Sequence, residues 1–162
     1  MIKILATVLL VLFSTSVIGE EDSISNRDRF ELWANCQPVY PLFDYRQVNT
    51  TFILPENIEI AVENMKIAVQ NRLRSARLYQ EQDTHPLKLY VSIQISGPAF
   101  MIGMQFHKPV QDVKFGTYFL TPTWEVRSFG THDYDFNGIA QRVSGYTDRF
   151  INEYLRVNAD SC

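Results

Sequence analysis

The feature that most constrains the fold is a stretch from Leu87 to Ser96 in which apolar and polar residues alternate without a break. The apolar members are Leu87, Leu89, Val91, Ile93 and Ile95. Because successive side chains of a strand point to opposite faces, this pattern predicts a strand with one buried and one exposed face. A sheet made of such strands needs a second layer of structure against its apolar face.

Two further stretches continue the alternation after short turns. Ala99–Lys108 and Val113–Val126 are predicted strands, and together with the first stretch they form an antiparallel series. Pro122 lies inside the last stretch, where its missing backbone donor predicts a bulge or a break. An earlier segment, Pro38–Tyr45, also has strand character, and its two prolines place it at a sheet edge.

Two stretches with helical periodicity supply the covering layer. The first runs from Pro55 to about Tyr79, and the second runs from Asn137 to Val157 after a predicted loop at Ser128–Asp135. Each helix carries a single apolar stripe. The order β-α-β-β-β-α therefore predicts an α+β fold: a two-layer sandwich whose four-stranded, mainly antiparallel sheet has both helices on one face.

The amino terminus has the order of a secretory signal peptide. Lys3 precedes an apolar run from Ile4 to Phe13, which small and polar residues follow up to Gly19. This order is typical of a cleaved leader, and the run is too short for a stable membrane span. We expect cleavage after Gly19; the alternative is an uncleaved anchor.

The predicted organisation is a signal peptide at 1–19, a flexible amino-terminal segment at 20–31 and a single domain at 32–162. No later stretch is long and apolar enough to cross a bilayer, so we expect no transmembrane segment after cleavage and a periplasmic or secreted location. Hydrophobic residues make up 46% and charged residues 20% of the chain, which favours a globular protein. The net charge of −3 gives no electrostatic reason to expect nucleic-acid binding.

The two cysteines, Cys36 and Cys162, lie near the two ends of the predicted domain. An exported protein meets an oxidising compartment, so we predict a disulfide between them; the alternative is two unrelated thiols. A bridge that closes so long a loop contributes about 4–5 kcal/mol in the loop-entropy model. Two cysteines do not supply a zinc site, and the sequence has no phosphate-binding glycine loop or nucleophile elbow. We therefore predict no metal and no cofactor.

Several short strings carry a resemblance that extends over most of the predicted domain. They are Trp33-x-x-Cys36, RLRSARLY at 72–79, Tyr90-Val91, Gly130-Thr131-His132 and the segment from Phe150 to Asn158 with its terminal Cys162. In combination they resemble a family of small, uncharacterised, exported (periplasmic) proteins of proteobacteria, which implies export and no particular activity. The element order alone is also similar to periplasmic α/β modules such as the amino-terminal domain of TolB, an analogy of fold that does not imply function.

Four arginines are candidate contacts for a partner or an anion. Arg72 lies within the apolar stripe of the first helix, so it is either a structural tie to a carboxylate or an anion-binding residue. Arg142, Arg149 and Arg156 are spaced by seven and form a basic line on the second helix. Because Glu153 is within reach of two of them, local ion pairs are the alternative to a contact surface for an anionic partner.

A weaker candidate site lies in the loop before the second helix. His132, Asp133 and Asp135 are residue types from which an acid/base pair or a metal site is built. Asp135 fits a helix cap equally well, and Asp133 fits a turn. The sheet face away from the helices is a further candidate surface, with ordinary surface cover as the alternative. Alternation places Tyr90, Met101, His107 and Tyr118 there.

The sequence thus favours a small exported, non-catalytic domain with a binding or assembly-support role in the bacterial envelope. Its partner would be an envelope protein or an anionic envelope component. Two alternatives stay open: a hydrolase that uses the loop at His132, and a secreted inhibitor or immunity-type protein that acts through one flat surface.

Overall fold

A computed structural model describes residues 23–49, 58–133 and 135–162. The elements in this part of the chain are α1 (Asn26–Leu32), β1 (Tyr40–Asn49), α2 (Ile58–Ser75), β2 (Lys88–Ser96), β3 (Ala99–Gln111), β4 (Tyr118–Thr131) and α3 (Asn137–Val157). The predicted leader at 1–19 and the predicted helix start at Pro55 lie outside the described residues.

The sheet has the strand order β1-β2-β3-β4 and combines one parallel pair with two antiparallel pairs. β1 runs parallel to β2, with Tyr40 opposite Lys88, and α2 makes the crossover that a parallel pair requires. β2 with β3 and β3 with β4 are antiparallel. The prediction of a mainly antiparallel, four-stranded sheet with the first strand at its edge is confirmed.

Helices α2 and α3 pack on the same face of this sheet, as predicted. Their apolar stripes and the alternate residues of the strands form one core. Its largest fully buried side chains include Leu73, Leu89, Ile93, Ile95, Ile102, Met104, Phe106, Ile139, Phe150 and Tyr154. Burial of each large apolar side chain contributes about 1.5–3 kcal/mol relative to exposure, so this core is the main source of stability.

Pro122 marks an irregularity in β4, as its missing donor predicts. Phe106 pairs with Trp124, but the next residue of β3 pairs with Pro122, which leaves Thr123 as an extra residue in β4. The Thr123 hydroxyl donates a hydrogen bond to the backbone carbonyl of Glu31 at 2.6 Å. The bulge therefore attaches β4 to the end of α1.

The hairpin of β3 and β4 differs from its predicted bounds. β3 continues to Gln111, and β4 begins only at Tyr118, so the turn between them lies within the stretch predicted as a strand from Val113. β4 also runs on to Thr131, which pairs with Ala99, so the predicted loop before α3 is shorter than expected.

The described part of the predicted flexible segment contains a helix, α1. Ser25 is its N-cap: the hydroxyl accepts a hydrogen bond from the Asp28 N–H, and the Asp28 carboxylate accepts one from the Ser25 N–H, both at 3.1 Å. This reciprocal capping box satisfies two donors at the helix start. Leu32 is buried in the core and anchors the other end. Residues 26–31 of the predicted flexible segment are therefore helical in the structure.

One buried side chain joins the end of α3 to the loop that follows α1. The Oδ1 atom of Asn158 accepts backbone N–H groups from Ala34 at 2.8 Å and Cys36 at 3.2 Å. Its Nδ2 donates to the carbonyls of Leu32 at 3.0 Å and Tyr154 at 2.8 Å. Both acceptor sites and both donors of this amide are occupied, which is what its burial requires.

The predicted disulfide lies beside this amide. Cys36 and Cys162, which are 126 positions apart, are bonded with 5.2 Å between their Cα atoms. Asn35 and Cys36 both have φ of 54°, a left-handed conformation that costs about 1–3 kcal/mol per residue. The Tyr154 hydroxyl donates to the Gln37 carbonyl at 2.7 Å, and burial raises the pKa of this phenol. The bridge, the amide and the phenol together hold a strained loop in place.

Removing the bridge tests its contribution. We expect Cys36→Ser combined with Cys162→Ser to lower the free energy of unfolding by about 2–5 kcal/mol, because the unfolded chain loses a long covalent loop. Denaturant unfolding of the oxidised protein and the double variant measures the difference. Reduction of the unsubstituted protein should reproduce it, and an unchanged unfolding midpoint would contradict this prediction.

A second substitution tests the buried amide. Asn158→Ala removes four hydrogen bonds and leaves the N–H groups of Ala34 and Cys36 and the carbonyl of Leu32 without this partner, so we expect a loss of about 3 kcal/mol or more in the free energy of unfolding. Asn152→Ala, at an exposed position of the same helix, is the matched control and should change stability by less than about 0.5 kcal/mol. Equal stability of the two variants would show that the amide does not carry this role.

Candidate functional site

The first two candidate arginines make contacts within the fold. Arg72 of α2 places Nε 3.2 Å from Oδ1 of Asp148 on α3, and both side chains are partly exposed. A pair at such a position is worth roughly 0–1 kcal/mol, so it orients the two helices more than it stabilises them. The guanidinium carbon of Arg142 lies 5.8 Å from the centre of the Phe100 ring. The contact of Arg72 matches the structural alternative.

The other two arginines on α3 are neutralised by carboxylates. Arg149 Nε lies 2.7 Å from an oxygen of Glu153, whose other oxygen accepts the indole N–H of Trp124 at 2.7 Å. Arg156 Nη2 lies 3.3 Å from Asp28 of α1. In the predicted basic line, Arg149 thus pairs with a carboxylate on its own helix, and Arg156 pairs with a carboxylate that is distant in sequence.

A groove beside these pairs, between α1, α3 and β4, has a volume of about 810 Å³. Its charged lining residues are three arginines and four carboxylates: Arg27, Arg149, Arg156, Asp28, Glu31, Glu125 and Glu153. Because the charges of these groups nearly cancel, the groove has no excess of positive charge that would attract an anion.

The loop before α3 places its three candidate residues in different environments. His132 is buried, and its ring centre lies 6.5 Å from that of Phe100 and 5.2 Å from that of Phe136. Asp133 and Asp135 are exposed, and Asp135 accepts a backbone N–H at the start of α3 at 3.0 Å. These contacts pack His132 against two aromatic rings and attach Asp135 to the first residue of α3.

The open face of the sheet carries a compact polar network. The Tyr90 hydroxyl donates to Asp44 Oδ2 at 2.7 Å, and Arg46 Nε lies 2.8 Å from the same oxygen. The hydrogen bond from Tyr90, followed by that from Arg46, lowers the pKa of Asp44 below its usual value. Burial and the neighbouring carboxylate raise the pKa of Tyr90. This network is satisfied internally.

Beside the network is a shallow pocket of about 270 Å³. Gly103 lines it, and an added Cβ there would lie 2.7 Å from the Ser92 hydroxyl, so the glycine leaves room for this side chain. Met101 lines the pocket as predicted for this face, and the His107 ring lies 6.0 Å from that of Tyr90. Burial lowers the pKa of His107.

Exposed large apolar side chains in the described part of the chain are concentrated elsewhere, at the end of the β3–β4 hairpin. β1 and β2 begin at Tyr40 and Lys88, and Lys88 pairs with His107. Beyond this point β3 and β4 pair only with each other. We call residues 108–121, which extend past the rest of the sheet, the hairpin arm.

Five large apolar side chains of the hairpin arm are exposed to solvent. They are Val113 (93% exposed), Phe115 (68%), Tyr118 (67%), Phe119 (56%) and Leu120 (51%). Apolar residues that cluster in this way, unlike single exposed ones, mark interaction surfaces. Sequence reasoning missed this site, although the combination of an apolar run and an internal Gly116 was the available signal for an exposed turn.

The base of the hairpin arm is fastened to α1. The ammonium of Lys108 donates to the carbonyl of Trp33 at 2.9 Å and lies 5.8 Å from the centre of the Phe30 ring. Burial lowers the pKa of this amine. Phe30 and Trp33 are themselves about half exposed, so they add two aromatic groups beside the arm.

The tip of the hairpin arm has a closed hydrogen-bonded turn. The Asp112 N–H donates to the Thr117 carbonyl, and the Gly116 N–H donates to the Asp112 carbonyl, both at 2.8 Å. The Asp112 carboxylate accepts the N–H groups of Lys114 at 2.8 Å and Phe115 at 3.2 Å. Gly116 has φ of 67°, which other residues adopt at a cost. The exposed side chains therefore project from an ordered backbone.

Comparison with known proteins adds little to this geometry. No family model matches the sequence, and a search of curated proteins finds no match. A crystal structure of an uncharacterised protein is 9% identical, with 82% of this chain and 95% of that chain covered and a TM-score of 0.29. A likeness this low carries no argument about fold or function. No helix in the described residues has both the length and the apolar character of a membrane span, and no group of three or more potential metal ligands occurs among them.

The open-face network yields a pH-dependent prediction. We expect Tyr90→Phe to raise the pKa of Asp44 toward its usual value, because the carboxylate loses its main donor. A lowered carboxyl pKa stabilises the fold at pH values above the unfolded-state pKa, and this stabilisation is lost as the pH falls through the folded-state pKa. The variant should therefore lose about 1 kcal/mol at neutral pH and less on acidification.

An NMR titration of the Asp44 carboxyl carbon in the two proteins measures this change. Tyr118→Phe, on the hairpin arm, is the matched control and should leave the Asp44 titration unaltered. An unchanged Asp44 pKa in Tyr90→Phe would contradict the assignment of Tyr90 as its main donor.

Proposed function

We propose that this protein is an exported, non-catalytic binding module of the bacterial envelope that docks through the hairpin arm. The observation that carries the proposal is the exposed apolar surface of residues 108–121, held on an ordered turn. Such a surface is costly in water and is retained where a partner covers it.

Two features support export. The order of residues 1–19 is that of a cleaved leader, and the resemblance to exported proteobacterial proteins agrees with it. The disulfide between Cys36 and Cys162 persists in an oxidising compartment and would be reduced in the cytosol. Both features favour a periplasmic or secreted location.

The distribution of polar contacts favours binding over catalysis. The candidate arginines Arg72, Arg149 and Arg156 are paired with carboxylates, and Asp135 accepts the N–H of the first residue of α3. These groups contribute to the fold, whereas the exposed apolar groups of the hairpin arm lie outside the hydrophobic core. An inhibitor or immunity-type protein would also act by docking, and a projecting arm serves that role as well as a flat surface does.

Site-specific photo-crosslinking in the exporting host tests this proposal. A photo-crosslinking phenylalanine analogue in place of Phe119 should give crosslinked products on illumination, because a docked arm has its partner within contact distance. The same analogue in place of Phe129 is the matched control, since Phe129 is 72% exposed and lies near the opposite end of β4.

The proposal requires products, whether protein or lipid, that are specific to the position in the hairpin arm. Equal products from both positions, or none from either, would contradict docking through the arm. Retention of the protein in the cytosol with its leader intact would contradict export.

A further inference from the structure

We infer that the hairpin arm binds an anionic lipid surface, into which its tip inserts at the level of the headgroups. This inference rests on the proposed function and names the kind of surface that the arm contacts. It follows from the arrangement of apolar groups around the arm, from the hydrogen bonds of its turn and from its two lysines.

Apolar side chains project from both faces of the hairpin arm. Directly paired residues of antiparallel strands share a face, so Phe119 and Val110 lie on the side where the arm meets α1. The paired residues Leu120 and Pro109 lie on the other side, and Tyr118 lies on that side as well. A flat protein surface would cover one face and leave the other in water. A lipid interface surrounds the tip and covers both faces.

The turn at the tip forms internal hydrogen bonds with four of its backbone donors. The N–H groups of Asp112, Lys114, Phe115 and Gly116 are all hydrogen-bonded within the turn. Backbone donors without a partner oppose transfer from water to a less polar medium, so this turn is suited to that transfer. The backbone N–H and C=O groups on the outer edges of the two strands have no partner strand in the described part of the chain. Their need for water limits insertion to the headgroup region.

The hairpin arm carries two lysines, Lys108 and Lys114, and one carboxylate, Asp112, so its net charge of +1 favours an anionic surface over a neutral one. Lys114 lies at the tip, with its ammonium 5.2 Å from the centre of the Phe115 ring. The long lysine side chain allows the ammonium to reach headgroup phosphates while the apolar groups insert.

Vesicle co-sedimentation tests the inference. The protein, purified as its host exports it, should bind vesicles made of equal parts of phosphatidylglycerol and phosphatidylethanolamine. Phe115→Ser combined with Phe119→Ser should reduce the partition coefficient at least about tenfold, because two large apolar groups no longer insert. Ile60→Ser combined with Phe129→Ser, which removes two equally exposed apolar groups away from the arm, should bind as the unsubstituted protein does.

The charge contribution is measured separately. Lys114→Glu should lower binding to the same anionic vesicles about tenfold and have little effect on the weak binding to phosphatidylcholine alone. Added salt should weaken binding of the unsubstituted protein to anionic vesicles for the same reason. Every variant keeps the same amino terminus, so any contribution from that end is common to all, and unfolding midpoints verify that each variant is folded.

The result that overturns the inference is distinct from the one that overturns the proposed function. Lipid is not the partner if the unsubstituted protein does not bind anionic vesicles. The same holds if the variant with Phe115→Ser and Phe119→Ser binds these vesicles as well as the unsubstituted protein does. When that result accompanies a crosslink from position 119 to another protein or to a second copy, docking through the arm stands and the lipid inference fails. Binding that is independent of anionic lipid also contradicts it.

Discussion

The buried amide of Asn158 is the contact on which the rest of the arrangement depends. It bonds to Leu32 and Ala34, the residues on either side of Trp33, and the Trp33 carbonyl in turn accepts the ammonium of Lys108 at the base of the hairpin arm. The carboxyl end of α3 therefore determines the position of α1, and α1 determines the direction of the arm. The neighbouring disulfide makes this connection covalent.

The sequence predicts those parts of the fold whose periodicity reflects burial on one face. α3 runs over its predicted residues, Asn137–Val157, and β2 differs from its prediction by a single residue, because each has a complete apolar stripe against the core. α1 was missed since its stability comes from a capping box and one buried side chain, Leu32, which leave almost no periodic signal. The bounds of β3 and β4 depend on their mutual pairing, which no single stretch of sequence records.

The candidate site was harder to predict for two physical reasons. The alternation at Val113–Val126 is the same whether a helical layer covers the strand or not, so it could not show that Phe119 has no covering partner. The arginines of the basic line do recur every seven residues on α3, but Asp28, which pairs with Arg156, is distant in the chain. Residue spacing identifies neighbours within one helix, such as Arg149 and Glu153, and carries no information about neighbours from other elements.

The hairpin arm and the core have separate physical roles. Beyond Lys108 the strands of the arm pair only with each other, so its exposed apolar groups add nothing to the packing under the sheet. Their retention is unfavourable in water unless something else covers them. The arm is also ordered before it meets a partner, because the turn at Asp112 and the contact at Lys108 fix its backbone, and little conformational entropy remains to be lost on binding. A weak, reversible attachment can then arise from a small apolar surface.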